Sequence, residues 1–420
     1  MHKLKALFSD PFIRSSLLFS IVNLLSSGVA YVVIVFVSRR GDELFNNWNA
    51  LNGVLTIFLT FTAGFSLYYA KTLSRIAKDH PEHTASYLRG SEKYLHKLAL
   101  RFGWIILLVL LGLAAALKFL TWPQAIIIGV NIYLELWSIL YRMYFLGRLE
   151  YNKAMILTLV AAVARFVCII TFLSLSFGID SLVIGSLLGS GLSILIGKLY
   201  TTNIDEVPTT QPEFTIPLDF LNSLKASGAL IAASILLQIG QVATQGLITT
   251  NDSVILGTVA ILNTFTSILF YGASAFLSLF VVNATRSESR TIYHKTLGVV
   301  TAVTLLGIGA ISIIWHPALT LLKKDAYQGL LPQFLLFSVF MIFYNLFFVS
   351  IQYLISQYKY RTILIIGGLV LLTSTILVAN AVLKFTHDNY ILYYSLIQIV
   401  MTAIIFGYAF LAINKDSSTN

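Results

Sequence analysis

Glu135 and Arg165 are formal charges set deep inside apolar sequence. They lie in two spans, TWPQAIIIGVNIYLELWSILYRMYFLG and MILTLVAAVARFVCIITFLSLSF, joined by the polar turn RLEYNK. Glu135 precedes Gly147 by twelve residues and Arg165 follows Lys153 by twelve. At about 1.5 Å per helical residue both charges sit about 18 Å from the turn, near the middle of a hydrocarbon layer about 30 Å thick. A charge at that depth costs at least about 2.5 to 3.5 kcal/mol and is normally turned toward protein or a watery cavity. Two uses follow, and they are compatible. The pair can neutralise itself across adjacent helices and hold the hairpin together, or the two residues can line a substrate or proton path. Arg142 follows Glu135 by seven residues on the same face, about 10 Å nearer the turn. A guanidinium fork there suits a phosphate; otherwise Arg142 snorkels to the interface.

The second half of the chain carries amides and hydroxyls in place of charge. Ser234, Gln238, Gln241 and Gln245 recur at helical spacing, as do Asn263 with Ser267, and Ser338 with Asn345 and Gln352. Asn23, Ser27 and Tyr31 share one face in the first span. Each stripe faces protein or water rather than lipid, and serves either as interhelical hydrogen bonding or as cavity lining; three stripes together favour a cavity. No metal-ligating cluster or cofactor motif is present in the sequence. The nearest Gly-Lys, in GSGLSILIGKL, has the wrong spacing for a phosphate-binding loop and lacks its following Ser or Thr. A membrane-embedded glycosyltransferase, polymerase or ligase would need a general base or metal site in an outer loop or at a lipid face. The outer loops are short and all seven histidines fall outside the midplane, so an enzyme is disfavoured. The buried charges equally disfavour an inert scaffold.

The elements that position these residues are membrane helices. Hydrophobic residues make up 57% of the 420 and charged residues 11%, with mean hydropathy +0.83, where a soluble domain carries about 25% charge. The apolar runs are about twenty residues long and do not alternate, which selects helices over barrel strands. Twelve spans are expected, near 12–37, 51–70, 102–120, 123–146, 155–177, 182–200, 226–249, 253–282, 296–315, 330–356, 362–383 and 390–413. With both termini cytoplasmic, twenty Lys and Arg fall inside and six outside, which sets the orientation and accounts for the net charge of +10 without a nucleic-acid partner. The basic N-terminus leads into a retained first span with no cleavage site, and Cys168 is a lone packing residue.

Pro81 marks a break after the second span, and SYLRGSEKYLHKLAL is expected to lie on the membrane surface as an amphipathic helix. TTNIDEVPTTQPEFTIPLD reads as a cytoplasmic linker. Residues 1–201 and 220–420 are then two six-helix lobes joined by 202–219. LNGVLTIFLTFTAGFSLYYAKTLSR aligns without a gap to LNTFTSILFYGASAFLSLFVVNATR, matching Asn52 with Asn263 and Arg75 with Arg286. The expected fold is therefore all-α, with about twelve transmembrane helices in two parallel six-helix halves around a central cavity.

Three stretches carry a resemblance to a known family: VSRRGDELFNNWNALNGVLTIFLTFTAGFSLYYAKTLSRIAKD, YRMYFLGRLEYNKAMIL, and its echo IQYLISQYKYRTILII. Together with the twelve-span pattern, they resemble the polysaccharide flippases of the multidrug/oligosaccharidyl-lipid/polysaccharide exporter superfamily. The outer loop departs from that family in having Phe45, Asn46 and Asn47 where a Gly-Tyr-Gly-like turn is common. The resemblance implies a bacterial plasma-membrane flippase that moves a polyprenyl-diphosphate-linked oligosaccharide by alternating access among membrane lipids, with a gradient of H+ or Na+ as candidate driving force. A cationic first half for the diphosphate and an amide-rich second half for the sugar fit it. The alternative within transport is a drug or cation antiporter of the same superfamily, which would prefer an anionic cavity.

Overall fold

The computed structural model describes residues 11–117, 119–148, 150–202, 220–247, 253–287, 290–357, 359–382 and 387–415. Among them the structure is all-α. Six helices precede the 202–219 stretch: α1 (Pro11–Ser38), α2 (Asp42–Asp79), α3 (Thr84–Ala116), α4 (Trp122–Gly147), α5 (Tyr151–Ser174) and α6 (Asp180–Thr201). Six follow it: α7 (Phe220–Leu247), α8 (Ser253–Ser287), α9 (Arg290–Leu321), α10 (Leu331–Ser356), α11 (Tyr360–Val382) and α12 (His387–Lys415). Nine stretches among the described residues are long and apolar enough to cross a membrane. The chain is a polytopic all-α membrane protein. The linker residues 203–219 lie outside the described residues.

Every expected span has its helix, but the ends differ where helices run on past the apolar stretch. Residues 42–50, expected as an outer loop, form the first turns of α2. The amphipathic segment expected on the membrane surface is instead the first half of α3, continuous with the span behind it. Its backbone hydrogen bonds continue without a break, so amphipathic character marks only where one helix leaves the apolar layer. The break at Pro81 is real. A 3₁₀ turn, Pro81–His83, separates α2 from α3, and the Thr84 hydroxyl donates to the Pro81 carbonyl at 2.8 Å.

Helix lengths recur in order: 28 and 28 residues for α1 and α7, 26 and 26 for α4 and α10, 24 and 23 for α5 and α11. The turn after α4 is closed by Arg148 N–H to Tyr144 O, Glu150 N–H to Phe145 O and Ala154 N–H to Glu150 O. The same three bonds recur 209 residues on, as Gln357 to Tyr353, Lys359 to Leu354 and Ile363 to Lys359. In the first turn Glu150 also accepts Arg148 Nε at 2.8 Å and Lys153 Nζ at 2.6 Å.

The described residues gather into two compact units. One is drawn from Met1–Val33, Phe65–Leu110 and Ile126–Ser223, the other from Ile34–Gly64, Leu111–Ala125 and Leu224–Asn420. The boundaries fall inside α1 to α4 and near the start of α7, so the first turns of α2 pack among second-half helices. In that second unit Lys324, between α9 and α10, is buried; its ammonium pairs with Asp42 and lies 5.0 Å from the centre of the Phe45 ring. Arg39 Nε donates to Leu321 O at 3.2 Å nearby.

Candidate functional site

The charged cluster of the first unit is assembled by three helices. On α4, Asn131, Glu135, Ser138 and Arg142 recur at spacings of four, three and four and so form one stripe. On α6, Ser186, Ser190 and Ser193 form the stripe that meets it, each fully buried. Ser190 Oγ donates to Glu135 Oε2 at 2.6 Å, with Asn131 Oδ1 at 3.3 Å and the Ser186 carbonyl at 3.1 Å as lesser partners for the same hydroxyl. Ser138 and Ser193 bond at 2.8 Å. Small side chains let the two backbones approach closely enough for these short hydroxyls to reach.

The opposite edge of α6 is glycine. A Cβ on Gly189 would come within 2.8 Å of the Ala161 carbonyl and 3.0 Å of Arg165 Cβ, and one on Gly185 within 3.1 Å of the Arg165 carbonyl. Helix α5 therefore crosses α6 at Arg165 itself. Glycine is required at both positions by the closeness of the neighbouring backbone.

Glu135 pairs with Arg142 rather than with Arg165: Arg142 Nη2 lies 2.5 Å from Glu135 Oε1. Rise per residue puts their Cα atoms about 10 Å apart, but helical side chains lean toward the N-terminus. Arg142 thus reaches back along α4 to the carboxylate instead of out to the interface. Arg165 makes no ion pair within 4.0 Å among the described residues and adds only a longer-range attraction to Glu135. Asn131 Nδ2, Arg142 Nε and Arg165 Nε are buried with no hydrogen-bond partner. The cluster holds two guanidinium groups against one carboxylate, and its unused hydrogen-bonding capacity is mainly N–H.

The amide stripes of the second unit are largely satisfied by protein. Asn263 Nδ2 donates to Gln238 Oε1 at 3.2 Å, Gln245 Nε2 to Asn47 Oδ1 at 2.6 Å, and Asn345 Nδ2 to Thr304 Oγ1 at 2.9 Å. Ser234 donates to Thr60 at 2.7 Å and Thr264 to Asn49 at 3.1 Å. Gly53 admits this packing, since a Cβ there would meet Val242 Cγ2 at 3.0 Å. Gln352 is buried with Oε1 unpartnered, as are Asn263 Oδ1 and Asn345 Oδ1. The backbones of Asn23 and Gln241 lie in α1 and α7, while their side chains fall outside the described residues.

Glu135, Arg142 and Arg165 are therefore brought together, and Gln238 joins Asn263. Neither Gln352 nor Asn345 contacts another residue of the expected set through a hydrogen bond among the described residues. Sequence reasoning places the span 182–200 but names none of its residues in the site, and so missed the part α6 plays there. The signal was there in IGSLLGSGLS, small residues at i and i+4 on two edges, in the stretch whose wrong spacing set aside a phosphate loop. It also missed Asn47 and Asn49 as partners of second-half helices, because 42–50 read as loop, and Thr60, a hydroxyl within the expected span 51–70.

No family model and no curated protein matches the sequence. Solved structures do match in fold across almost the whole chain. An outward-facing multidrug resistance MATE family transporter of the MOP superfamily aligns with a TM-score of 0.64 at 16% identity, covering 98% of each chain. An inward-facing one gives 0.64 at 14%, covering 96% of this chain and 99% of that one. A MOP superfamily transporter from Pyrococcus furiosus, described as having a binding pocket of reverse polarity, gives 0.63 at 15%, covering 96% of both. At such identities the likeness establishes the fold, that of the MATE transporters.

Proposed function

We propose that this chain is a flippase that moves a polyprenyl-diphosphate-linked oligosaccharide across a bacterial plasma membrane by alternating access. One observation carries the reading. The buried cluster on α4, α5 and α6 has two guanidinium groups for one carboxylate, with three N–H groups left without acceptors. An excess positive charge inside a membrane bundle calls for an anion, and the diphosphate supplies acceptor oxygens in the geometry a guanidinium fork prefers. The amides and hydroxyls of the second half suit the sugar. Glu135 gives the site an ion-coupling element: a proton taken by its carboxylate releases Arg142 toward substrate. The coupling ion of this reading is H+ or Na+.

Fold likeness to transporters seen both inward-facing and outward-facing supports alternating access. The recurring helix lengths and the repeated turn support two six-helix lobes, 1–201 and 220–420, of the same orientation. The twenty-to-six bias of Lys and Arg supports cytoplasmic termini and a cytoplasmic 202–219 linker. A second reading, a drug or cation antiporter, is favoured by the multidrug transporters among the fold relatives. It accounts less well for the net positive cluster, although the reverse polarity described for the Pyrococcus furiosus protein makes the sign of the site a variable within this fold.

Reconstitution into liposomes decides between them. Flipping of a fluorescent lipid-linked oligosaccharide is expected, with Arg165→Gln lowering it at least about tenfold, the loss of one charge-assisted contact, while the unfolding midpoint is kept. Ethidium efflux without flipping would overturn the proposal in favour of the antiporter.

A further inference from the structure

Away from the buried cluster, α3, α4 and α6 enclose a pocket of about 290 Å³ at the end of α6 from which the linker departs. Arg89, Glu92, Tyr141, Lys198, Thr201 and Thr202 line it, all within the first unit. Its shape depends on Gly197: a Cβ there would meet Tyr141 Cγ at 2.6 Å, so α6 lies directly on the Tyr141 ring. The Tyr141 hydroxyl donates to Glu92 Oε1. Lys198 Nζ stands 5.4 Å from the centre of the Trp137 ring, and Arg89 is half-buried. The lining thus carries two cations and one carboxylate, a net charge of one positive.

The pocket continues into a lipid-facing track. Leu188, Leu192, Leu195 and Leu199 are exposed on α6, at spacings of four, three and four, and Thr202 is the next position on that stripe. An apolar chain lying along these leucines would lead a polar headgroup straight to Thr202 and Lys198. We propose that the pocket holds the headgroup of an anionic phospholipid of the phosphatidylglycerol type, with an acyl chain on the leucine stripe of α6. The phosphodiester carries the single negative charge that matches the lining, and Arg89 and Lys198 supply its donors. The Thr201 and Thr202 hydroxyls donate to carbonyls of their own helix, at 3.1 Å to Gly197 and 2.6 Å to Leu199. Their oxygens, with Glu92, are left to accept from glycerol hydroxyls. A phosphatidylcholine headgroup brings no such hydroxyls and no net charge.

The site is independent of what the protein transports, and binding is read without transport. Purified protein in detergent is titrated with phosphatidylglycerol, phosphatidylcholine or inorganic phosphate, and occupancy is followed by native mass spectrometry and by the shift of the unfolding midpoint. Phosphatidylglycerol is expected to bind at least about tenfold more tightly than phosphatidylcholine, and inorganic phosphate to leave the midpoint unmoved. Lys198→Gln should weaken phosphatidylglycerol about fivefold, the worth of one basic residue at a membrane surface, and Arg89→Gln with Lys198→Gln further. Lys97→Gln, exposed on α3 outside the pocket, should leave it unchanged. Lys198 is exposed at a helix end, so its replacement keeps the fold even if the double variant does not. Equal binding of the two lipids, equal loss with Lys97→Gln, or a shift by inorganic phosphate alone equal to that by phosphatidylglycerol would each overturn the assignment.

Discussion

Helices α4 and α10 are the same length, are both well-buried spans, and end in turns with the same hydrogen bonds. Their polar content is opposite in kind. On α4, Glu135 and Arg142 form a charged pair whose neighbours still lack acceptors. On α10, Asn345 hands its amide to Thr304, and the Tyr344 hydroxyl reaches the Ala233 carbonyl at 3.0 Å. One backbone plan thus accommodates two polar chemistries. The difference teaches that helix placement is set by apolar length and by the turn, while the character of the interior is set by a few residues that change neither.

The sharpest way to break the comparison is to remove charge on one side only. Glu135→Ala leaves Arg142 buried without its carboxylate and is expected to cost about 3 to 5 kcal/mol, seen as lower yield and a lower unfolding midpoint. Glu135→Gln combined with Arg142→Gln should recover most of that stability. A double variant as unstable as the single would mean that the pair is not the source of the cost. Overpacking comes next: Gly189→Leu forces α5 and α6 apart at Arg165 and should cost about 1 to 3 kcal/mol, against no measurable change for Gly191→Leu, where nothing lies within 4 Å.

On the amide side, Asn345→Ala should cost only about 0.5 to 1.5 kcal/mol, one neutral hydrogen bond, since the Thr304 hydroxyl keeps its own bond to the Val300 carbonyl at 2.8 Å. A loss as large as that of Glu135→Ala would erase the distinction between the two regions. The smallest effect is expected at Lys324, a charge placed in the amide-rich unit. Burial lowers its pKa from the ordinary 10.5. The native state therefore binds fewer protons than the unfolded chain between the lowered value and 10.5, and stability from this group rises with pH through that window and is absent below it. Denaturation midpoints measured across the alkaline range should show the rise, and Lys324→Met should flatten it.

Much of the fold is legible from sequence because apolar runs of about twenty residues leave the chain few alternatives to helices that cross a membrane. Hydropathy alone does not show where those helices end. Asp42 to Ala50 and Thr84 to Arg101 are polar enough to leave the membrane yet remain helical. The depth of Glu135 and Arg165 was readable from rise per residue, but the preference of Glu135 for Arg142 was not, because that arithmetic follows Cα atoms and the guanidinium travels back along its helix. Ser186, Ser190, Gly185 and Gly189 escaped notice because small residues barely move a hydropathy average, although they decide how close the three helices come.

Helix α6 has one further consequence, for tolerance to mutation. Its lipid-facing leucines can be exchanged for any apolar residue with little effect. Around its inward edges, where Gly185, Gly189, Gly197, Ser186, Ser190 and Ser193 are buried, nearly every codon change adds volume, since almost nothing encoded is smaller. Damage to this helix comes as excess bulk rather than as a void. Variants that rescue it should therefore be found as trimmed side chains on α4 and α5, with Tyr141 and Ile169 the first places to look.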